Sequence, residues 1–266
     1  MSETYIITRP RSKERESVQL VKMMQFMFEN DVHKWVIASE TGNSGYEHWQ
    51  VRFQIRNLTE DEKKEHAFLK ANFGKSAHIE LASDTWKYER KEGLYYTSWD
   101  TIEVLQQRFG TRTKWQQKAY DVLQRTNDRE IVVCYDESGN HGKSWFTGHL
   151  WETGEAHIVQ AQNNAKGLIQ DCASEYLDNG WRPIVIIDIP RTWKWTDDLY
   201  VAIERIKDGL IKDARYGSRT INIHGVKVLV FCNEAPEKEK LSNDRWVIGT
   251  ICGPDRDRAG ISFWEM

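Results

Sequence analysis

Residues 131–135 form a short apolar run that is followed by Gly142-Lys143-Ser144 and by helical sequence from Trp145. This order of strand, loop and helix is the context that a phosphate-binding P-loop requires. In such a loop backbone amides cradle the phosphates, the lysine reaches the outer phosphates and the hydroxyl ligates Mg²⁺. One position departs from the pattern, because Glu137 stands where the first glycine is usual. The sequence predicts an α/β nucleotide-binding fold with these ATP contacts: Ser138, Gly139, Asn140, His141, Gly142, Lys143 and Ser144.

Two later apolar runs end in polar side chains suited to the same site. Residues 183–187 lead to Asp188, as expected for a buried parallel strand that delivers a carboxylate to nucleotide-bound Mg²⁺. Residues 226–232 lead to Asn233, which is predicted to sense the γ-phosphate, although asparagine at a strand end is also a common turn residue. Many ATPases have a second acid after the aspartate, and its absence here leaves Glu234 as the candidate base.

An alternating pattern in residues 48–55 predicts a half-buried strand with a metal-binding face. Every second residue from 49 to 55 is apolar, so His48 and Gln50 point to the opposite face. Glu40 ends the preceding apolar run, and the polar residues 42–45 predict a hairpin between the two strands. The resulting ligand set of Glu40, His48 and Gln50 suits Mg²⁺ or Mn²⁺ better than zinc.

Tyr88 and Lys91 provide a candidate nucleophile and its cation. Ser83-Asp84 predicts a helix N-terminus and Gly93 a stop, so Tyr88 and Lys91 lie at i and i+3 on one helix face. A phenol is neutral at pH 7 and becomes a useful nucleophile only when a cation stabilises the phenolate. Lys91 is predicted to do this or to hold the scissile phosphate. For either residue alone, an ordinary helix tyrosine and a solvated lysine paired with Glu92 are the simpler interpretation.

Taken in order, these residues resemble the replication initiator proteins (Rep) of circular Rep-encoding single-stranded DNA viruses. Residues 45–50 and 91–93 are most similar to the smacovirus branch, and residues 5–10 correspond to a first, substrate-recognition motif. The resemblance extends over nearly the whole chain. The motif set consists of Glu40, His48-Trp49-Gln50, Tyr88-x-x-Lys91, Gly142-Lys143-Ser144, Ile187-Asp188 and Asn233.

The resemblance implies an α+β HUH-type endonuclease domain, with an antiparallel sheet and flanking helices, followed by an α/β P-loop AAA+ domain of helicase superfamily 3. Gln50 then stands where relaxases carry a second histidine. The resemblance also implies rolling-circle replication, single-stranded and origin DNA as partners, and a homo-oligomer that forms a hexameric ring. Tyr88 would attack an origin phosphodiester to leave a 5′-phosphotyrosine, and the ATPase domain would unwind the duplex.

A basic segment between Asp188 and Asn233 is the candidate DNA contact. Residues 205–219 contain five cations and one aromatic residue, and residues 216–218 predict a hairpin tip. A hairpin at this place lines the central pore in the resembled helicases, and a solvated loop is the alternative. Arg245 is predicted to act as an arginine finger on a neighbour's ATP if a ring forms, and otherwise as a surface ion-pair residue. The predicted DNA contacts are Lys212, Arg215, Tyr216 and Arg219.

The predicted domain organisation places an endonuclease domain at residues 1–98, a helical linker or oligomerisation segment at 99–127 and the ATPase domain at 128–266. The first domain is expected to have helices near residues 14–29 and 59–72. The segment 99–127 mixes apolar residues with many Gln, Lys and Arg, which predicts two short helices. In the resembled family such helices bring protomers together, whereas a simple linker is the alternative.

Composition limits the function classes. The net charge of −3 excludes a wholly basic surface, so nucleic acid must be bound by local patches. The four cysteines have neither zinc-site nor disulfide-framework spacing. No apolar stretch approaches a membrane span and no signal-peptide pattern opens the chain, so no membrane association is expected. We expect an intracellular protein, in the nucleus of a eukaryotic host or in the cytoplasm of a prokaryotic one.

Two alternatives to a viral initiator remain open. A plasmid-type Rep would carry out the same chemistry. A non-enzymatic, ATP-gated DNA-binding regulator would have lost its nuclease site, which the intact pairs Tyr88/Lys91 and His48/Gln50 argue against.

Overall fold

The computed structural model describes residues 2–42, 44–56, 61–160, 164–214 and 218–264. The chain divides into two compact units, residues 1–108 and residues 109–266. Each unit has its own sheet and its own hydrophobic core. The boundary between the units falls inside the predicted segment 99–127.

The first unit is built on an antiparallel sheet of five strands in the order β4-β1-β3-β2-β5. Helices α1 and α2 follow β1 and β3 in the chain, and α3 closes the unit. The elements are β1 Ser2–Pro10, α1 Glu16–Glu29, β2 Lys34–Thr41, β3 Glu47–Arg56, α2 Glu62–Phe73, β4 His78–Leu81, β5 Tyr95–Thr97 and α3 Ile102–Phe109.

The apolar face of β3 packs into the core of this unit, as the alternating pattern predicted. Trp49, Val51 and Phe53 are buried together with Phe26 of α1 and Phe73 of α2. Helices α1 and α2 start two and three residues later than expected. The start of α2 is fixed by its N-cap Asp61, whose side chain accepts hydrogen bonds from two backbone N–H groups of the first turn. The opposite face of β3, which carries His48 and Gln50, is covered rather than exposed, since Gln50 is only 9% exposed.

The helix predicted from Ser83 to Gly93 does not form. Within this described stretch the only helical element is a 3-10 turn at Tyr88–Arg90. The carbonyl of Ser83 accepts hydrogen bonds from the Arg52 guanidinium on β3 at 2.6 Å and from Thr85 N at 2.9 Å, rather than from a residue one helical turn ahead. Arg52 also binds the buried carboxylate of Glu89 at 2.6 Å, and this ion pair connects the turn at Tyr88–Arg90 to β3. A long-range ion pair therefore overrides the local helical preference.

The second unit is an α/β fold with a sheet of six strands in the order β13-β12-β6-β11-β8-β7. All neighbouring pairs are parallel except β12 and β13. A separate hairpin pairs β9 with β10. The elements are α4 Lys114–Arg125, β6 Ile131–Tyr135, α5 Lys143–Glu152, β7 Ala156–Gln160, α6 Ala165–Asn179, β8 Ile184–Asp188, α7 Asp197–Asp208, β9 Leu210–Asp213, β10 Arg219–Asn222, β11 Lys227–Cys232, β12 Trp246–Cys252 and β13 Gly260–Phe263.

Helices cover both faces of this sheet, which explains why its central strands read as continuous apolar runs. One face of β6, with Val133, packs with residues of α6 and α7. The other face, with Val132, packs with residues of α4 and α5. Because the strands are parallel, the predicted nucleotide-binding residues after β6, β8 and β11 lie at one edge of the sheet.

The segment 99–127 is divided between the two units rather than forming a region of its own. Arg108 of α3 donates two hydrogen bonds to Asp100 and one to the Tyr95 carbonyl in the first unit. Trp115 and Leu123 of α4 are buried in the core of the second unit. The two predicted helices are confirmed, whereas a role in oligomerisation stays a prediction. Among the described residues, none of the helices is long and apolar enough to cross a membrane.

A buried lysine in the second unit binds backbone oxygens. The side chain of Lys207 on α7 is 1% exposed, and its ammonium donates to the carbonyls of Asn127 at 3.0 Å and Val226 at 2.9 Å. Burial, reinforced by the neighbouring Lys227, lowers the pKa of Lys207 to about 8.

The lowered pKa of Lys207 predicts that the free energy of unfolding rises with pH. The unfolded chain holds this proton up to a pKa of about 10.4, whereas the folded protein releases it near pH 8, so unfolding takes up a proton between these values. We expect the free energy of unfolding of the wild type to rise relative to Lys207→Met by roughly 1–3 kcal/mol between about pH 7.5 and about pH 10. Urea denaturation of both proteins, followed by tryptophan fluorescence, measures this. A difference that is constant with pH would contradict the prediction.

Candidate functional site

The β2–β3 hairpin brings the three predicted metal ligands onto one face of the first sheet. Glu40 lies directly opposite His48 in the strand register, and Ala38 lies opposite Gln50. Glu47, the neighbouring carboxylate, belongs to the other face and pairs with Arg11 and Lys13. The hairpin geometry therefore favours Glu40 over Glu47 as a ligand.

Nε2 of His48 faces the Glu40 carboxylate. Nδ1 of His48 lies 3.1 Å from the Tyr46 carbonyl oxygen, which can only accept, so Nδ1 donates this hydrogen bond and Nε2 is the ring nitrogen left to bind a metal. Nε2 lies 3.7 Å from Oε2 of Glu40. The Tyr46 ring stacks on the imidazole at a centroid distance of 5.4 Å. A hydrogen bond from the second ring nitrogen to a backbone carbonyl, as His48 Nδ1 makes to Tyr46, is the arrangement that orients metal-binding histidines in proteins.

The two oxygens of the Glu40 carboxylate differ in their partners. Its side chain is buried, Oε2 receives the Lys91 ammonium at 2.9 Å, and Oε1 has no hydrogen-bond partner among the described residues. Burial raises the pKa of Glu40, and the neighbouring Lys91 opposes that shift. A buried carboxylate oxygen without a donor is costly, and a bound cation would satisfy it. The residues present therefore fit a divalent metal.

Gln50 is the third donor of the set. Its Oε1 accepts a hydrogen bond of 2.7 Å from the Thr8 hydroxyl, and an amide oxygen retains a second lone pair. In the part of the chain that the structure describes, no three His, Cys, Asp or Glu side chains cluster closely enough to hold a metal. A site at Glu40 and His48 thus depends on the amide of Gln50.

Lys91 lies at this site, although not through the predicted helix. The turn at Tyr88–Arg90 packs beside β2 and β3, and Lys91 follows it. Glu92 accepts a hydrogen bond from the Thr41 backbone, whereas Lys91 forms an ion pair with the buried Glu40. The side chain of Tyr88 lies outside the described part of the structure, and its role stays a prediction.

The predicted P-loop connects β6 to α5 in the second unit. Gly139, Asn140 and Gly142 have φ values of 78°, 64° and 82°, and Gly142 is the N-cap of α5. Trp115 donates to the His141 carbonyl at 3.0 Å and Gln116 to the Gly142 carbonyl at 3.1 Å. Helix α4 therefore anchors the predicted P-loop through Trp115 and Gln116. The sequence pattern assigned this helix to a linker and did not predict this contact.

The side chain of Asp136, directly after β6, binds three residues of this loop and was not among the predicted contacts. Its fully buried carboxylate accepts hydrogen bonds from Gly139 N at 2.7 Å, His141 Nδ1 at 2.9 Å and Lys143 Nζ at 2.7 Å. Burial opposes ionisation, but the hydrogen bonds from Lys143 and His141 outweigh it and lower the pKa of Asp136. Lys143 is thus bound within the chain, and phosphate must compete with Asp136 for it.

Asp188 and Asn233 lie at the same edge of the sheet as Lys143. Burial raises the pKa of Asp188, and the positive charge of Lys143 acts against this shift. The Asn233 amide donates to the Asp136 backbone carbonyl at 2.5 Å, which ties the end of β11 to the P-loop. The strands thus bring together three of the predicted nucleotide contacts.

The basic hairpin forms, but its cations do not share one face. Lys212 pairs across the hairpin with Thr220, and Arg219 pairs with Asp213, so Lys212 and Arg219 point to opposite faces. Both cations are exposed. The other two predicted DNA contacts, Arg215 and Tyr216, lie outside the described residues.

Arg245 is buried rather than exposed. Its side chain lies between Glu204 at 3.2 Å and Asp208 at 2.9 Å, both on α7, and the residue is 5% exposed. The alternative of a surface ion-pair residue is therefore wrong in its location, and an action on a neighbour's ATP would require both ion pairs to break. That action stays a prediction.

Comparisons with known proteins give relatives for about half of the chain. The Master replication protein of milk vetch dwarf virus (isolate N) is 29% identical over 136 residues, which are 51% of this chain and 44% of the relative. Para-Rep C7 of faba bean necrotic yellows C7 alphasatellite is 33% identical over 141 residues, which are 49% and 45% of the two chains. The chain thus spans about half the length of the curated relatives it matches.

Other comparisons add no argument. No protein-family model matches the chain. A solved formyltetrahydrofolate deformylase from Pseudomonas putida covers 92% of this chain and 53% of its own, but with a TM-score of 0.23 and 10% identity. The narrower likeness to the smacovirus branch stays a prediction. The relatives confirm the broader resemblance: over half of its length this chain is similar to the replication proteins (Rep) of circular single-stranded DNA viruses.

Proposed function

We propose that this chain is a rolling-circle replication initiator that nicks and rejoins single-stranded origin DNA and unwinds duplex DNA with ATP. Two kinds of observation support it. The relatives are named as replication proteins, and in the first unit Glu40, His48 and Gln50 share one face of the sheet while Lys91 binds Glu40. The buried Glu40 carboxylate carries most of the weight, because its Oε1 has no hydrogen-bond partner among the described residues and its Oε2 lies 3.7 Å from His48 Nε2.

The nuclease chemistry assigns a role to each residue of the first site. Glu40, His48 and Gln50 would hold Mg²⁺ or Mn²⁺, which when bound polarises a phosphodiester. The Tyr88 oxygen attacks phosphorus, the P–O3′ bond breaks and the proton lost by the phenol ends on the 3′-oxygen. The products are a 5′-phosphotyrosine and a free 3′-hydroxyl, and the reverse step rejoins the strand. Lys91, held at Glu40, supplies positive charge beside the reacting groups.

The ATPase role follows from the second unit. Lys143 and residues 138–144 would bind the phosphates, Ser144 and Asp188 would ligate the nucleotide's Mg²⁺, and Asn233 would sense the γ-phosphate. Lys212, Arg215, Tyr216 and Arg219 are the proposed DNA contacts of the hairpin. A hexameric ring with Arg245 at its subunit interface completes the proposal, and it requires release of Arg245 from Glu204 and Asp208.

Metal binding tests the first site with a matched pair of variants. Glu40→Ala should weaken Mn²⁺ binding about tenfold or more and depress cleavage of a single-stranded origin oligonucleotide, because a three-donor site loses its only carboxylate. Glu47→Ala is the control, since Glu47 lies on the other face of β3 and pairs with Arg11 and Lys13. Calorimetric titration with Mn²⁺ measures both. Loss of metal by Glu47→Ala with retention by Glu40→Ala would overturn the site.

A further inference from the structure

The P-loop provides less positive charge than its lysine suggests. Lys143 and the buried Asp136 form an ion pair at 2.7 Å, so together they contribute no net charge to a bound polyphosphate. Glu137 adds a negative charge at the position next to this pair. A nucleotide with several negative charges therefore needs cations from outside the 136–144 segment.

Arg191 approaches the loop from the side of β8. It lies three residues after Asp188, and its Nη2 donates to the Ser138 carbonyl at 2.9 Å. The same nitrogen lies 2.5 Å from the position that a Cβ would take on Gly139. The guanidinium therefore rests directly on the loop backbone, and only a glycine leaves space for it.

Arg256 approaches from the opposite side, after β12. Its Cγ and Cδ lie 2.8 and 2.9 Å from the position of a Cβ on Gly142, and its guanidinium lies 4.1 Å from the Trp145 ring centroid. Its Nε is buried without a hydrogen-bond partner in the described part of the chain, and the nearest carboxylate, of Asp257, is 4.0 Å away. In the sheet order β6 lies between β12 and β8, so the two arginines flank the loop.

We propose that Arg191 and Arg256 are phosphate-binding residues of the nucleotide site, which supply the positive charge that Asp136 takes from Lys143. The inference rests on the proposed ATPase function. Guanidinium groups bind phosphate oxygens through charge-assisted hydrogen bonds. The Arg191 guanidinium lies at Gly139, and the aliphatic stem of Arg256 lies at Gly142 with its guanidinium over the Trp145 ring. They act within one chain, which distinguishes them from Arg245.

Binding of Mg-ATP and of AMP to the full chain tests this proposal. Arg191→Gln and Arg256→Gln should each weaken ATP binding about tenfold or more and AMP binding much less, because AMP carries fewer phosphate charges. Arg191→Lys and Arg256→Lys should recover part of the affinity. Arg258→Gln is the matched control, since Arg258 lies in the same loop as Arg256 but is exposed and bound to Asp255.

The outcomes separate this inference from the proposed function itself. ATP binding by the wild type that is lost in Lys143→Ala, together with normal ATP binding in both arginine variants, would overturn the inference and leave the ATPase site standing. Equal loss of ATP and AMP binding, with a lowered melting temperature, would show that the arginines only support the loop. A wild type that binds no ATP would overturn both proposals.

Discussion

Tyr88→Phe should abolish nicking of a single-stranded origin oligonucleotide and formation of the covalent adduct, by a factor on the order of 10³ or more. The substitution removes one oxygen, the proposed nucleophile. ATP hydrolysis should stay near the wild-type rate, because the P-loop belongs to a separate unit and shares no residues with the first site. Denaturing gel electrophoresis of labelled DNA bound to protein, beside a phosphate-release assay, measures both activities.

Two neighbouring tyrosines provide the controls for this variant. Tyr95 is 2% exposed, with the Arg108 guanidinium 3.7 Å from its ring centroid, so it is poorly placed to attack DNA. Tyr96→Phe should keep nicking and adduct formation, since burial and the nearby Glu16 raise the pKa of Tyr96 and disfavour its phenolate. An adduct that persists in Tyr88→Phe and vanishes in Tyr96→Phe would reassign the nucleophile.

Lys143→Ala should reduce ATP hydrolysis and unwinding about 100-fold or more while nicking of a single-stranded origin continues. Removal of Lys143 also leaves the buried Asp136 carboxylate with one donor fewer, so we expect a loss of about 2 kcal/mol in stability. The double variant Lys143→Ala, Asp136→Asn should regain stability without regaining ATP hydrolysis. This separates the loss of a phosphate contact from a loss of folding.

Hydrolysis that survives in Lys143→Ala would contradict the P-loop assignment. Undetectable ATP binding by the wild type would have a different meaning. It would show that Asp136 and Glu137 disable the loop, and a nuclease without ATPase activity would become the better account.

Local patterns predicted β2, β3, β6, β8 and β11 and the two glycines of the P-loop. Alternation in residues 49–55 identified the buried face of β3, because that face packs on helices and its period is fixed by strand geometry. The continuous apolar runs before Asp188 and Asn233 predicted buried parallel strands, since helices cover both faces of that sheet. The alternation and the apolar runs are patterns of residues that are adjacent in the chain, so the sequence shows them directly.

Features that depend on distant partners were not predictable in the same way. The helix expected from Ser83 does not form, and the Ser83 carbonyl instead accepts a hydrogen bond from Arg52, which lies thirty-one residues earlier in the chain. Arg245 is buried because its acidic partners belong to α7, which the sequence did not connect with it. Asp136 could have been predicted as a site residue, because a carboxylate directly follows the apolar strand of residues 131–135. The P-loop pattern begins one residue later, at Glu137, and therefore does not include it.

The most direct test of the account is covalent capture on the wild-type protein. The full chain is incubated with a 5′-labelled and a 3′-labelled single-stranded origin oligonucleotide in Mn²⁺, and the protein is then digested and analysed by mass spectrometry. Only the fragment on the 3′ side of the nick should become attached, through its 5′-phosphate, to the peptide that contains Tyr88. Cleavage without any protein-bound DNA, or attachment to a peptide without Tyr88, would contradict it.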